Sequence, residues 1–164
     1  MKYFKLDEFD SPDHKGSGVN MCKDFLLKLE KAREIANIPF KITSGFRTQN
    51  YLQDLLDRGY KASKNSSHLV GKAADIAAVG SSTRFIIVDA LLKSGFNRIG
   101  IDGNKNFIHV DSDGTDMGGT KPPNVIWTYW YSRKHVMEEL ITGYVAFRLL
   151  EYLILKSFGW KEKV

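Results

Sequence analysis

Apolar residues recur at three- and four-residue steps through Phe25, Leu29, Ala32 and Ala36, which predicts a helix capped by Asn20, running to about Asn37 and ended by Pro39. Phe40 to Thr43 then alternates like a short strand, and Ser44-Gly45-Phe46-Arg47 turns into a second helix capped by Thr48 and closed near Gly59. Arg47 is thereby placed at a strand-to-helix junction. After the polar stretch Lys61 to Ser67, Lys72 to Ala78 reads as a short buried strand of small residues. Ser82 caps a further helix with apolar members Phe85, Ile86, Val88, Ala90, Leu91 and Leu92, stopped by Gly95. Arg98 to Ile101 and Phe107 to Asp111 read as two strands joined around Asp102-Gly103-Asn104. A Gly- and Pro-rich loop from Asp113 to Asn124 leads to an aromatic last strand, Val125 to Tyr131.

The order of elements predicts an α+β fold, a small antiparallel sheet with helices packed on it, over residues 1–131. Residues 132–164 change character: from about Arg133 to Phe158 one long amphipathic helix is expected. Glu138, Glu139, Arg148 and Glu151 interrupt it too often for a membrane span, so it is expected to pack on the domain, pair with a second copy in a homodimer, or lie on a membrane surface. Its deletion is expected to change oligomeric state or membrane association more than metal binding.

A chain of 164 residues with 43% hydrophobic content buries enough surface to fold without a disulfide or a structural metal, so a metal site here would serve chemistry. The single cysteine, Cys22, excludes Cys-rich zinc patterns and leaves His and carboxylates as ligands; among Met21, Phe25 and Leu26 it reads as a core thiol. The formal charge of +5 favours anionic partners, but the excess is too dispersed to choose among nucleic acid, cell-wall polymer and membrane. Met1 to Asp10 carries Asp7, Glu8 and Asp10 and no apolar run of signal-peptide length, which predicts synthesis in the cytoplasm.

The most informative stretch is Ser66-Ser67-His68-Leu69-Val70-Gly71-Lys72-Ala73-Ala74-Asp75. It sets an imidazole and a carboxylate seven positions apart, with Gly71 allowing a sharp turn and Ala73 and Ala74 allowing close packing. His109 and Asp111, two apart on a predicted strand, point to the same face. If the segments are neighbours, His68, Asp75 and His109 form a site of two imidazoles and one carboxylate with a position open to water, as in catalytic zinc centres. The competing reading is a surface hydrogen-bond network. His14 and His135 read as solvated groups and Asp102 as a turn residue, while Trp127, Tyr129 and Trp130 wall a groove or pack a core.

Ser66-x-His68-x-x-Gly71-x-Ala73-x-Asp75, preceded by Ser44-Gly45-Phe46-Arg47 and followed by Phe107-Ile108-His109-Val110-Asp111, resembles the zinc D-alanyl-D-alanine carboxypeptidases, a family that includes phage endolysin peptidases. The resemblance runs from about Leu6 to Tyr129 and implies the fold shared with the hedgehog signalling domain. It implies zinc (Zn2+) on His68, Asp75 and His109, with Arg47 holding the substrate near the scissile bond and Ser66 orienting its loop or touching substrate. A guanidinium suits a peptide carboxylate through a bidentate fork; the plainer role for Arg47 is a structural salt bridge. The family carries a His or an acid two residues before the third ligand, where this chain has Phe107, which moves no proton. Asp111 is then open to three readings: a substitute base, a carboxylate that orients His109, or the ligand itself with His109 as base.

The implied activity is a zinc metallopeptidase acting on peptidoglycan stem peptides or cross-links next to D-alanine, in a phage or prophage lysis enzyme released through a holin pore or carried by a virion. The alternative is a zinc-containing domain that binds cell wall or protein without catalysis, as Phe107 permits. Nucleic-acid binding rests on charge alone and is not expected.

Overall fold

The computed structural model describes residues 1–60 and 62–129; the expected C-terminal helix, with the homodimer and membrane contacts assigned to it, and Trp130 lie outside the described residues. Among the described residues, three helices, α1 (Lys23–Ala36), α2 (Gln49–Asp57) and α3 (Ser81–Lys93), accompany five strands. The strands are β1 (Ile42–Ser44), β2 (Ala73–Ala77), β3 (Arg98–Asp102), β4 (Phe107–Asp111) and β5 (Val125–Thr128), and short 3-10 turns cover Leu6–Phe9, Ser17–Asn20, Ser67–Val70 and Thr115–Met117.

The sheet order is β1-β2-β4-β3-β5. Every pairing is antiparallel except β3 with β5, so the sheet is mixed rather than antiparallel as expected. The reason lies in the connection: β4 ends at Asp111 and β5 starts at Val125, and both residues lie level with Arg98, the first residue of β3. The loop between them needs only to pass that end of β3, and β5 then runs alongside β3 in the same direction.

Alternation along the strands gives the sheet two unlike faces. Ala74 and Ile76, Ile108 and Val110, and Ile99 point to a core closed by Phe25 and Leu29 of α1 and Ile87 and Leu91 of α3. The register stacks the opposite face in three rows. Ala73, Asp111, Arg98 and Val125 form the first, Asp75, His109, Gly100 and Trp127 the second, and Ala77, Phe107 and Asp102 the third. A bulge in β1 pairs Ile42 with core-facing Ile76 yet Ser44 with site-facing Asp75. One extra residue thus turns the end of this strand, and the Ser44 to Arg47 turn after it, onto the polar face.

Thr48 caps α2 as expected, accepting from the Tyr51 N–H at 3.0 Å. The other caps differ. Asn20 donates its side-chain amide to the Ser17 carbonyl inside a 3-10 turn, and α1 begins later, with Cys22 as its half-buried first cap. Helix α3 starts at Ser81 behind Gly80, without a side-chain cap from Ser82. Of its apolar members, Ala90 and Leu91 turn inward with Ile87, while Phe85 is 72% exposed.

Candidate metal and active site

Two loops bring the site together, and both depend on a glycine. At Gly45 the chain passes so close to Phe9 that a Cβ would lie 2.4 Å from the Phe9 Cα, and the neighbouring Phe46 N–H donates to the Phe9 carbonyl at 2.8 Å. The Gly45 carbonyl then accepts from His68 Nδ1 at 2.6 Å, and the Arg47 N–H donates to the His68 carbonyl at 3.1 Å. The 3-10 turn bearing His68 ends at Gly71 in the left-handed region, φ +66°, where a Cβ would stand 2.2 Å from the Asn20 carbonyl oxygen. Gly71→Ala is therefore expected to combine left-handed strain with a backbone clash and to cost about 2–5 kcal/mol, read as a lowered denaturation midpoint. An unchanged midpoint would show that this turn relaxes freely.

His68, Asp75 and His109 converge in one buried cluster whose donor atoms all lie within 4.8 Å of one another. A carbonyl only accepts, so the Gly45 bond places the proton of neutral His68 on Nδ1 and leaves Nε2 bare. That Nε2 faces His109 Nδ1 at 3.3 Å and Asp75 Oδ1 at 3.4 Å, and His109 Nδ1 lies 2.8 Å from the same carboxylate oxygen. His109 turns its other nitrogen, Nε2, to Asp111 Oδ2 at 3.3 Å. Three lone-pair donors thus point at one another, an arrangement that is stable only with a proton or a cation among them. A zinc ion bonded at about 2.0–2.1 Å in a tetrahedral shell holds its ligand atoms roughly 3.3 Å apart, so the residues present fit that ion.

The electrostatics match this reading. Burial lowers the affinity of His68 for a proton, keeping it neutral, the form that ligates. Burial works against ionisation of Asp75, but its electrostatic interactions with the neighbouring His68 and His109 imidazoles hold its carboxyl well below the usual range. Burial also disfavours charge on His109, yet hydrogen bonds to Asp111 and Asp75 raise it above an ordinary histidine. A proton at this imidazole is what three converging donors attract when no metal neutralises them.

Arg47 donates from Nη2 to Asp75 Oδ2 at 2.8 Å and from Nε to Ser44 Oγ at 2.9 Å, leaving Oδ1 free to ligate a metal. It also lines the cavity that opens over the cluster, a recess of about 470 Å³. Asp111 stands behind His109, in the first row: its Oδ1 accepts from Arg98 Nε at 2.7 Å and from the Asp113 N–H at 3.0 Å. Asp111 shares the face of His109, as alternation predicts, but it is not among the cavity's lining residues. Ser66 lines the cavity and makes no side-chain cap bond to its loop. That service falls to Ser67, which donates to Asp113 Oδ2 at 3.1 Å and accepts from Lys121.

Sequence reasoning missed Arg98, Ser67, Asp113 and Lys121, whose partners lie far along the chain, and left Trp127 and Tyr129 undecided. Both aromatics line the cavity: Trp127 packs on His109 at 5.6 Å between ring centroids, and Tyr129 on Phe107 at 5.5 Å. His14 is exposed, and Asp102 accepts from the Asn104 and Lys105 N–H groups, so it serves its turn.

Comparison with known proteins bears on the same residues. No curated protein matches the chain. Among solved structures, the L-Ala D-Glu endopeptidase ChiX of Serratia marcescens is similar at a TM-score of 0.48 and 18% identity, covering 57% of this chain and 80% of that one. The sequence profile described as Peptidase M15 matches residues 2–111, a span that holds His68, Asp75 and His109. With that match over most of its length, the chain belongs to the M15 peptidase family.

Proposed function

We propose that this chain is a zinc-dependent peptidase that hydrolyses amide bonds in peptidoglycan stem peptides or cross-links, next to D-alanine, in a phage or prophage lysis setting. The observation that carries the reading is the convergence of His68 Nε2, Asp75 Oδ1 and His109 Nδ1 at zinc-like separations under an open cavity. Family membership supports the peptidase class, and the motif resemblance supports the substrate class.

Zinc held by these three groups supplies a Lewis acid and a water of lowered pKa. The chain does the rest. Gly45 and Asp111 fix the two imidazoles in the tautomers that present Nε2 and Nδ1 inward. Arg47 holds the outer oxygen of Asp75 and lines the cavity, where its guanidinium can pair with a substrate carboxylate or carbonyl. Ser66 offers a hydroxyl on the same wall. Of the roles open to Asp111, its position favours orienting His109 over carrying a proton from the cavity.

The test is metal content of the purified chain alongside peptide release from peptidoglycan with and without a chelator. One zinc per chain with chelator-sensitive release is expected. Zinc without release from varied cell walls would favour the binding domain that Phe107 permits, and a chain that cannot be loaded with zinc would sink both readings.

A further inference from the structure

The third row of the polar face contains Phe107, a hydrocarbon ring on the wall of the cavity, and the register shows what stands beside it. Phe107 pairs with Asp102 across β4 and β3. Thr128 pairs with Ile101 across β3 and β5, and the Tyr129 N–H extends that ladder by donating to the Ile101 carbonyl at 3.1 Å. Tyr129 therefore continues the row of Phe107, one step along from the row of His109 and Trp127. Its ring meets the Phe107 ring at 5.5 Å and 52°, and the Trp127 ring at 6.3 Å and 61°. All three rings line the cavity over the metal ligands. A hydroxyl on a ring fixed from two sides is a preorganised donor.

We infer that Tyr129 is a catalytic residue of this peptidase, its phenolic O–H donating a hydrogen bond to the scissile carbonyl oxygen as that oxygen gains negative charge. This rests on the peptidase reading above and assigns the transition-state donor of this row to Tyr129, since its neighbour Phe107 has no group that can donate. No proton changes owner in this role, so the hydroxyl must stay protonated while it works. It does so, because a tyrosine hydroxyl ordinarily ionises only at about 10, far above neutral pH. Placement across the sheet agrees. Arg47 follows β1 at one edge and Tyr129 follows β5 at the other, so a peptide laid over the ligands meets a donor on each side. Tyr129 lies beyond residues 2–111, which carry the family match.

The experiment uses the zinc-loaded full chain and Tyr129→Phe, which keeps the ring. Expected are unchanged zinc content and melting temperature, kcat on a stem peptide lowered about 100-fold, and KM within about twofold. By calorimetry, affinity for a tetrahedral phosphinate analogue of D-alanyl-D-alanine should fall by the same factor as kcat. Adding Phe107→His to Tyr129→Phe, which returns a donor to the row, should recover part of the lost kcat. Wild-type kcat and phosphinate affinity in Tyr129→Phe would overturn the role, as would a loss confined to KM or traced to missing zinc. A wild-type chain that releases no peptide would instead overturn the peptidase reading, and the Tyr129 role with it.

Discussion

His68→Ala is expected to leave a folded chain that no longer retains zinc and no longer releases peptide from peptidoglycan. His68 is 2% exposed and contributes one of three protein donors to the cluster. If a structural four-ligand zinc site is worth about 10–16 kcal/mol, one ligand accounts for roughly 2.5–4 kcal/mol, or an affinity loss of about 70-fold to nearly a thousandfold. Elemental analysis after dialysis against weak chelator reads this directly, and circular dichroism separates metal loss from unfolding. The Gly45 carbonyl loses its partner as well, so a small drop in stability accompanies the effect. Full zinc occupancy in this variant would show that the donors lie elsewhere.

Asp111 provides the second large effect, on stability as much as on function. Asp111 is 1% exposed and Arg98 8%, so their pair at 2.7 Å is an ion pair shut away from water. Removing one partner of such a pair costs about 3–5 kcal/mol, because the other charge stays buried. Asp111→Ala is expected to lose that much in chemical denaturation, and Asp111→Asn, which keeps the shape, distinctly less. Asp111→Asn also separates the roles of this carboxylate. An orienter of His109 weakens zinc binding about 10- to 100-fold, and saturating zinc then restores the rate. A proton carrier leaves zinc affinity intact and lowers the rate at any zinc concentration.

The same residue carries a pH signature. Burial opposes ionisation of Asp111, but hydrogen bonds from His109 and Arg98 bring its carboxyl down to about 2, below the roughly 3.9 of an unfolded aspartate. The stability it supplies is therefore complete above about 4 and is lost as the pH falls toward 2. Wild-type protein should lose stability across that window more steeply than Asp111→Asn, measured as denaturation midpoint against pH.

Of the three converging side chains, His68 and Asp75 were legible as a pair because their spacing is local, with a turn at Gly71 between them, while alternation aimed His109 and the β2–β4 register sets it beside Asp75. Their supports were not, because each depends on register between distant segments. Arg98 meets Asp111 only because β3 and β4 pair residue for residue, and Lys121 reaches Ser67 across 54 positions. The direction of β5 was hidden for a similar reason: residues 113–124 are long enough to return the chain either way. Alternation placed Asp111 on the face of His109, but only the ring orientation shows Nδ1 turned to the ligands and Nε2 to Asp111.

The first 22 residues contain no ligand, yet both site loops lean on them. Phe9 receives the Gly45 turn, Ser11 Oγ accepts from the Thr48 N–H at 3.2 Å, and the Cys22 N–H donates to the Gly71 carbonyl at 2.9 Å. This leader works as a brace laid across the back of the two loops, gripping each by its main chain. A protein trimmed to start at α1 would keep every group of the donor cluster and lose the scaffold that aims them, so a nick in this apparently idle stretch is expected to register first as a looser grip on zinc.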